Sequence, residues 1–313
     1  MNRLKNIFLN STENRSRAGW RILIFLILYI LISRILSKVT LNILDNSDKT
    51  TWNWWIARGF VVILASSIVV WIARKYIDKK TFISLGLRLN GLAIKDFFVG
   101  LVINGLMIGT IFVVFLISGF LEIREISWVS NGIFAAFEIL LWFLGIGLAI
   151  GWSEELVFRG YLLQNMKDGL GLSWSVLLSC ALFGLLHMSN PNSTLFSGVL
   201  VTIFGFLYIF GWLRTGQLWL SMGMHAGWNF FQGPILGFTV SGMRTESLIK
   251  HAVSGPTWIT GGSFGPEAGI VALPVIICGL VFIYLWTARR ENIPWVIKTK
   301  KPNEWLKSDQ NRG

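Results

Sequence analysis

The chain has 313 residues, of which 53% are hydrophobic and only 14% charged, whereas soluble domains carry about 25% charged residues. This composition excludes a water-soluble enzyme, a disordered chain and a small disulfide-stapled module. The net charge of +12 comes with no Lys/Arg-rich face interleaved with aromatics, which excludes nucleic acid as a partner. The basic residues lie between apolar runs, where they set topology.

In chain order, apolar runs predict membrane spans near 20–39, 55–73, 97–119, 138–166, 171–189, 195–213, 218–237 and 269–288. Each approaches the ~20 residues needed to cross about 30 Å of hydrocarbon. The expected fold class is all-α, a polytopic membrane helix bundle of about eight transmembrane helices with both termini cytoplasmic. The first run is too long for a cleaved signal peptide, has no small-residue cleavage site and is followed by Arg34 and Lys38. Trp52, Trp54 and Trp55 before the second run read as an interfacial belt. Cys180 and Cys278 sit inside apolar runs as small hydrophobes, with no disulfide framework.

Orientation follows from charge. With even spans, 21 of the 28 basic residues fall on one side, including Arg15, Arg21, Arg74, Lys80, Arg88, Lys95, Lys167, Arg214, Arg289 and Lys301. That side is expected to be the cytoplasm. The organisation reads as 1–95, an N-terminal cytoplasmic segment with the first two helices; 96–290, the membrane core; and 291–313, a basic cytoplasmic tail. Low Pro content, many Ile and Lys and short loops suggest a bacterial plasma membrane, with the chain crossing it several times.

Ionisable residues inside a span cost about 2.5–3.5 kcal/mol each on insertion scales, so those present are informative. The fourth span carries Glu154, Glu155 and Arg159, the fifth Phe183 and His187, and the seventh His225 and Asn229. Glu155 and Arg159 are four apart and can pair on one helix face. Glu154 lies about 100° around the helix, so the two carboxylates need not share a partner. His225 and Asn229, also four apart, would project into one cavity, and Gly223 and Gly227 beside them permit close helix approach. Measured from their turns at about 1.5 Å per residue, Glu154, His187 and His225 stand about 22, 27 and 14 Å up. They meet if the first hairpin projects some 10 Å into the cytoplasm, which predicts a site within the membrane, nearer the cytoplasmic face. A structural ion network holding the bundle is the bland alternative. Phe183 reads as packing that shapes the cavity, His251 as incidental, Glu138 as interfacial, and Gly261–Pro266 as turn chemistry.

Glu-Glu-x-x-x-Arg, then Phe-x-x-x-His, then His-x-x-x-Asn on successive membrane helices resembles the CPBP family. That family includes type II CAAX prenyl endopeptidases and the Abi proteins of bacteriocin processing and self-immunity. The resemblance covers roughly residues 133–235. It implies an intramembrane endopeptidase in which Glu154 and His187 activate the attacking water. His225 and Asn229 would stabilise the oxyanion, with Glu155 and Arg159 as support. The substrate would be a membrane-associated peptide or protein, lipidated or not, within the lipid bilayer. Glu154, His187 and His225 are also a conceivable three-ligand Zn²⁺ set. The favoured reading requires no cofactor, because Asn229 suits an oxyanion hole better than a zinc shell. His-Glu-x-x-His, Gly-x-Gly-Asp and Gly-x-Ser-x-Gly are absent, against other intramembrane proteases. A non-catalytic immunity or scaffold membrane protein and a proton-coupled transporter are the alternatives; internal repeats, expected of many transporters, are not evident.

Overall fold

A computed structural model describes residues 8–10, 15–43, 52–130 and 132–290. The basic tail 291–313, Arg3 and Lys5 lie outside the described residues, as do the side chains of Trp52, Trp54 and Trp55. The chain is an all-α bundle with several membrane-crossing helices. Its main helices are α1 (Ala18–Ile43), α2 (Trp52–Ile72), α3 (Gly91–Ile117), α4 (Ile133–Glu155), α5 (Leu163–Leu170), α6 (Leu172–His187), α7 (Leu195–Thr215), α8 (Trp219–Phe230) and α9 (Ala272–Thr287). Among the described residues, Ala18–Thr40, Gly59–Ile77, Gly91–Ile117 and Leu195–Thr215 are long and apolar enough to cross a membrane. Helices α6 and α9, with 16 residues each, are about 24 Å long, shorter than the expected runs 171–189 and 269–288.

Large apolar side chains on the outside, such as Phe134 and Ile117 at 81% exposure, are what lipid rather than water would cover. Inside, glycine lets backbones touch. A Cβ at Gly223 of α8 would collide with the Phe97 carbonyl of α3, and one at Gly227 would lie 2.6 Å from the Leu101 carbonyl oxygen. Gly184 and Gly198 bring α6 and α7 together in the same way.

Two features depart from a plain helical reading. Leu156–Leu162 forms a π-helical stretch joining α4 to α5 in one rod, and Phe231–Ile235 extends α8 likewise. Between α3 and α4, β1 (Leu121–Ile126) pairs antiparallel with β2 (Ile249–Val253), with a register shift between Ile123 and Glu125.

One end of the bundle is basic. There Arg21 reaches Asp78 at 3.7 Å and Asp168 at 3.5 Å, Arg15 pairs with Asp168 at 2.9 Å, and Arg74 with Asp78 at 2.9 Å. Arg290 clasps Asp96, and Arg214 donates to the Thr287 hydroxyl at 2.9 Å. Burial pushes the Asp168 carboxyl up, but Lys80, Arg15 and Arg21 outweigh it and hold the group below the usual carboxylate range. Burial lowers Lys167 beside it to about 8. Gly160 lies against Leu218, so the residues beyond it carry the Lys167–Gly171 tip about 15 Å past the α7–α8 turn. The opposite end holds the Met188–Thr194 turn, the β1–β2 pair and the segment 237–271.

Candidate active site

Helix α4 delivers adjacent carboxylates just before the π-helical stretch, a distortion often found at functional sites. Glu155 and Arg159 are both fully buried and pair at 2.8 Å. The second Arg159 amino group donates to the Gly205 carbonyl of α7 at 3.1 Å. Its guanidinium carbon lies 4.4 Å from the Phe183 ring centroid and 5.3 Å from that of Tyr208, so aromatic faces share its charge with Glu155.

His225 of α8 faces this pair, with its Nδ1 2.8 Å from Glu155 Oε1. The Tyr208 ring stacks on the imidazole, with centroids 4.8 Å apart and planes within 5°. Ser221 bonds the Tyr208 carbonyl at 2.7 Å, and Asn104 of α3 donates to the Met224 carbonyl at 2.7 Å. His187, the last residue of α6, donates Nδ1–H to the Phe183 carbonyl across 2.8 Å, which leaves Nε2 as an acceptor in the neutral ring. The Phe183 and His187 rings are 4.5 Å apart.

Glu154 stands between the two imidazoles. Its Oε2 is 3.7 Å from His225 Nε2 and 4.0 Å from His187 Nε2, and it is buried without a hydrogen-bond partner among the described residues. Six residues above Gly160, it sits about 9 Å from the level of the α7–α8 turn. Asn229 lines a cavity of about 240 Å³ together with Glu154. The structure therefore brings Glu154, Glu155, Arg159, Phe183, His187 and His225 together, with Asn229 one helical turn along α8. His225 Nδ1 lies 2.8 Å from Glu155 Oε1 and its Nε2 3.7 Å from Glu154 Oε2. The site is near the basic end in depth, and its cavity runs away from that end, past Ile150 and Ile146 to Met243, Arg244 and Thr245. Leu156, Leu218 and Met222 are buried together in one apolar cluster of the core.

The geometry also tests the zinc alternative. Ligands about 2.0–2.1 Å from a tetrahedral Zn²⁺ lie roughly 3.3 Å from one another; Glu154 is wider than that from both imidazoles. Among the described residues no group of three or more His, Cys, Asp or Glu side chains is arranged to hold a metal ion. As placed, Glu154, His187 and His225 do not fit that set, and no step is derived through a metal.

Sequence reasoning placed a span at 195–213 but missed that this helix, α7, supplies Tyr208 and the Gly205 carbonyl to the site. A tyrosine in an otherwise apolar span was the available signal.

Residues 136–231, which hold every one of these motif positions, match the family model described as type II CAAX prenyl endopeptidase Rce1-like. The match to that family is confined to this segment, under a third of the chain. The chain also resembles YyaK, an uncharacterized protein of Bacillus subtilis strain 168. The two are 38% identical over 86 residues, 25% of this chain and 28% of the relative. The aligned part of the chain thus spans little more than a quarter of the length of the curated relative it matches. No solved structure matches the chain.

Proposed function

We propose that the chain is an intramembrane endopeptidase that hydrolyses a peptide bond of a membrane-associated substrate with water activated by Glu154 and His187. The matched family is one of proteases, and the observation that carries the reading is the state of Glu154. Its Oε2 is buried, has no hydrogen-bond partner among the described residues, faces two imidazole Nε2 atoms and reaches a cavity. A carboxylate kept short of donors in a water-poor pocket is well suited to take a proton.

In this reaction a water held between Glu154 and the His187 Nε2 lone pair attacks the scissile carbonyl while Glu154 takes its proton. Glu155 holds His225 through Nδ1, which turns Nε2 toward Glu154 and the site. His225 and Asn229 donate to the tetrahedral oxyanion as it forms. The C–N bond breaks as Glu154 returns its proton to the leaving amine, giving a new carboxyl and a new amino terminus. Glu155 and Arg159 touch no reacting atom in this scheme; they orient His225.

By the positive-inside rule the basic end lies in the cytoplasm of a multi-pass protein of the bacterial plasma membrane. The test is substrate trapping in that membrane. The Glu154→Gln variant should retain membrane proteins that the unmodified chain cleaves, identified by mass spectrometry. Identical co-purifying proteins and termini for both would count against the proposal.

A further inference from the structure

Two cavities meet at the end of the bundle away from Asp96 and Arg290. The first, about 240 Å³, has Glu154 at its inner end and apolar walls that include Val62, Ile146, Ile150 and Pro234. The second, about 490 Å³, is the more polar and carries Lys250, His251 and Glu246. Arg244 and Thr245 line both and so stand between them. Arg244 is the single cation lining the first cavity among the described residues. It is exposed, and no carboxylate pairs with it among the described residues, unlike Lys250, which lies 3.3 Å from Glu125.

The loop that presents Arg244 is held in place. Ser241 donates its backbone N–H and its hydroxyl to Glu267 Oε1, at 2.6 and 3.0 Å. Gln232 binds the same carboxylate and the Thr239 carbonyl. Val240 and Met243 exchange backbone hydrogen bonds at 2.9 Å, and Gly242 N–H donates to the Phe264 carbonyl at 2.7 Å. Ser241 at φ 46° and Gly242 at φ +83° make the turn, and a Cβ on Gly242 would strike the Pro191 carbonyl. A buried glutamate thus anchors the loop that carries Arg244 beside a cavity whose far end is Glu154.

A ligand complementary to that cavity carries an anion at one end and apolar groups behind it, with a polar bond at the other end. On the endopeptidase reading, that ligand is a peptide. We propose that Arg244 is a specificity-determining residue that binds a carboxylate of the substrate peptide, whose apolar neighbours fill the cavity toward Glu154. The planar fork of an arginine matches a carboxylate in a bidentate contact. The carboxylate is either the peptide's own C-terminus or an acidic side chain.

The test uses the full chain in detergent with Glu154→Gln in place, and a dye-labelled hexapeptide of Leu, Val and Ile in three forms. One ends in a free carboxylate, one in an amide, and one is the amide with a single Asp. Fluorescence anisotropy should give at least one anionic form about tenfold tighter binding than the neutral amide, ~1.4 kcal/mol. Adding Arg244→Gln should abolish the preference while the neutral peptide binds as before, and Arg244→Lys should keep part of it. Whichever anionic form gains identifies the source of the carboxylate. Equal binding of all three forms, binding of none, or a preference that survives Arg244→Gln would overturn the proposal. Hydrolysis of the same peptides by the chain with Glu154 intact is scored separately. Carboxylate preference without hydrolysis would remove the endopeptidase reading and leave the recognition site standing.

Discussion

Replacing Arg159 by leucine is the sharpest probe of how the site is held. Arg159 and Glu155 are fully buried and paired at 2.8 Å, and the same Glu155 oxygen lies 2.8 Å from His225. Without the guanidinium, that carboxylate keeps only an imidazole as counter-charge, the Gly205 carbonyl loses its donor, and Phe183 and Tyr208 lose a cation over their rings. Breaking a buried pair from one side costs about 3–5 kcal/mol, because a charge is left uncompensated. Arg159→Leu should therefore destabilise the protein by that amount, read by denaturant titration in detergent. Adding Glu155→Gln removes the stranded charge while its amide oxygen can still accept from His225. The double variant should recover at least half of the loss, a strong coupling of the kind contacting sites display. A loss below about 1 kcal/mol for Arg159→Leu, or a double variant as unstable as the two single losses added, would refute the charge-balance argument.

Other predictions follow from the packing, the charged tip and the cavity. Gly223→Leu should disrupt the α3–α8 contact, where even a Cβ collides with the Phe97 backbone; a thermal midpoint in detergent unchanged from the unmodified chain would contradict it. Lys167 loses its proton near 8 in the folded chain against 10.5 as its ordinary value. The unfolded chain thus binds more protons between those values, and stability should rise as pH climbs from about 8 toward 10. Lys167→Met should flatten that rise, and an equal slope in both proteins would count against it. Met243 lines the cavity that holds Glu154, at the end away from the basic cluster. In a Cys278→Ser background, Met243→Cys should react with a membrane-impermeant maleimide added outside intact cells. Labelling only after permeabilisation would reverse the proposed orientation.

The helical fold and the motif positions were legible because both follow from local pattern. Long apolar runs leave the bilayer no alternative to helix, and polar residues at four-residue spacing stand out against them. What the sequence hid depends on contacts between distant segments. A π-helical stretch such as Leu156–Leu162 has no apolar signature of its own, and its Arg159 finds a partner in Gly205 only through the packing of α7. Tyr208 becomes part of the site only where α7 crosses α8. His251 read as incidental, yet it sits on β2 with its ring 4.7 Å from that of Phe238 and lines the second cavity beside Arg244. The loop carrying Arg244 is held by Glu267, 26 residues beyond Ser241, a pairing no short-range spacing reveals. Counting residues from the turns gives the depth of the site but not the direction of its cavity, which depends on how distant segments pack.

The central claim is that water activated at Glu154 cleaves a peptide bond inside the bundle. The most direct measurement reconstitutes the purified chain into liposomes with trapped substrate in ¹⁸O-enriched water, followed by mass spectrometry of the new C-termini. The account predicts one ¹⁸O in each new carboxyl group with the unmodified chain and no new termini with Glu154→Gln. The same labelled termini from both proteins, or none from either, would contradict it.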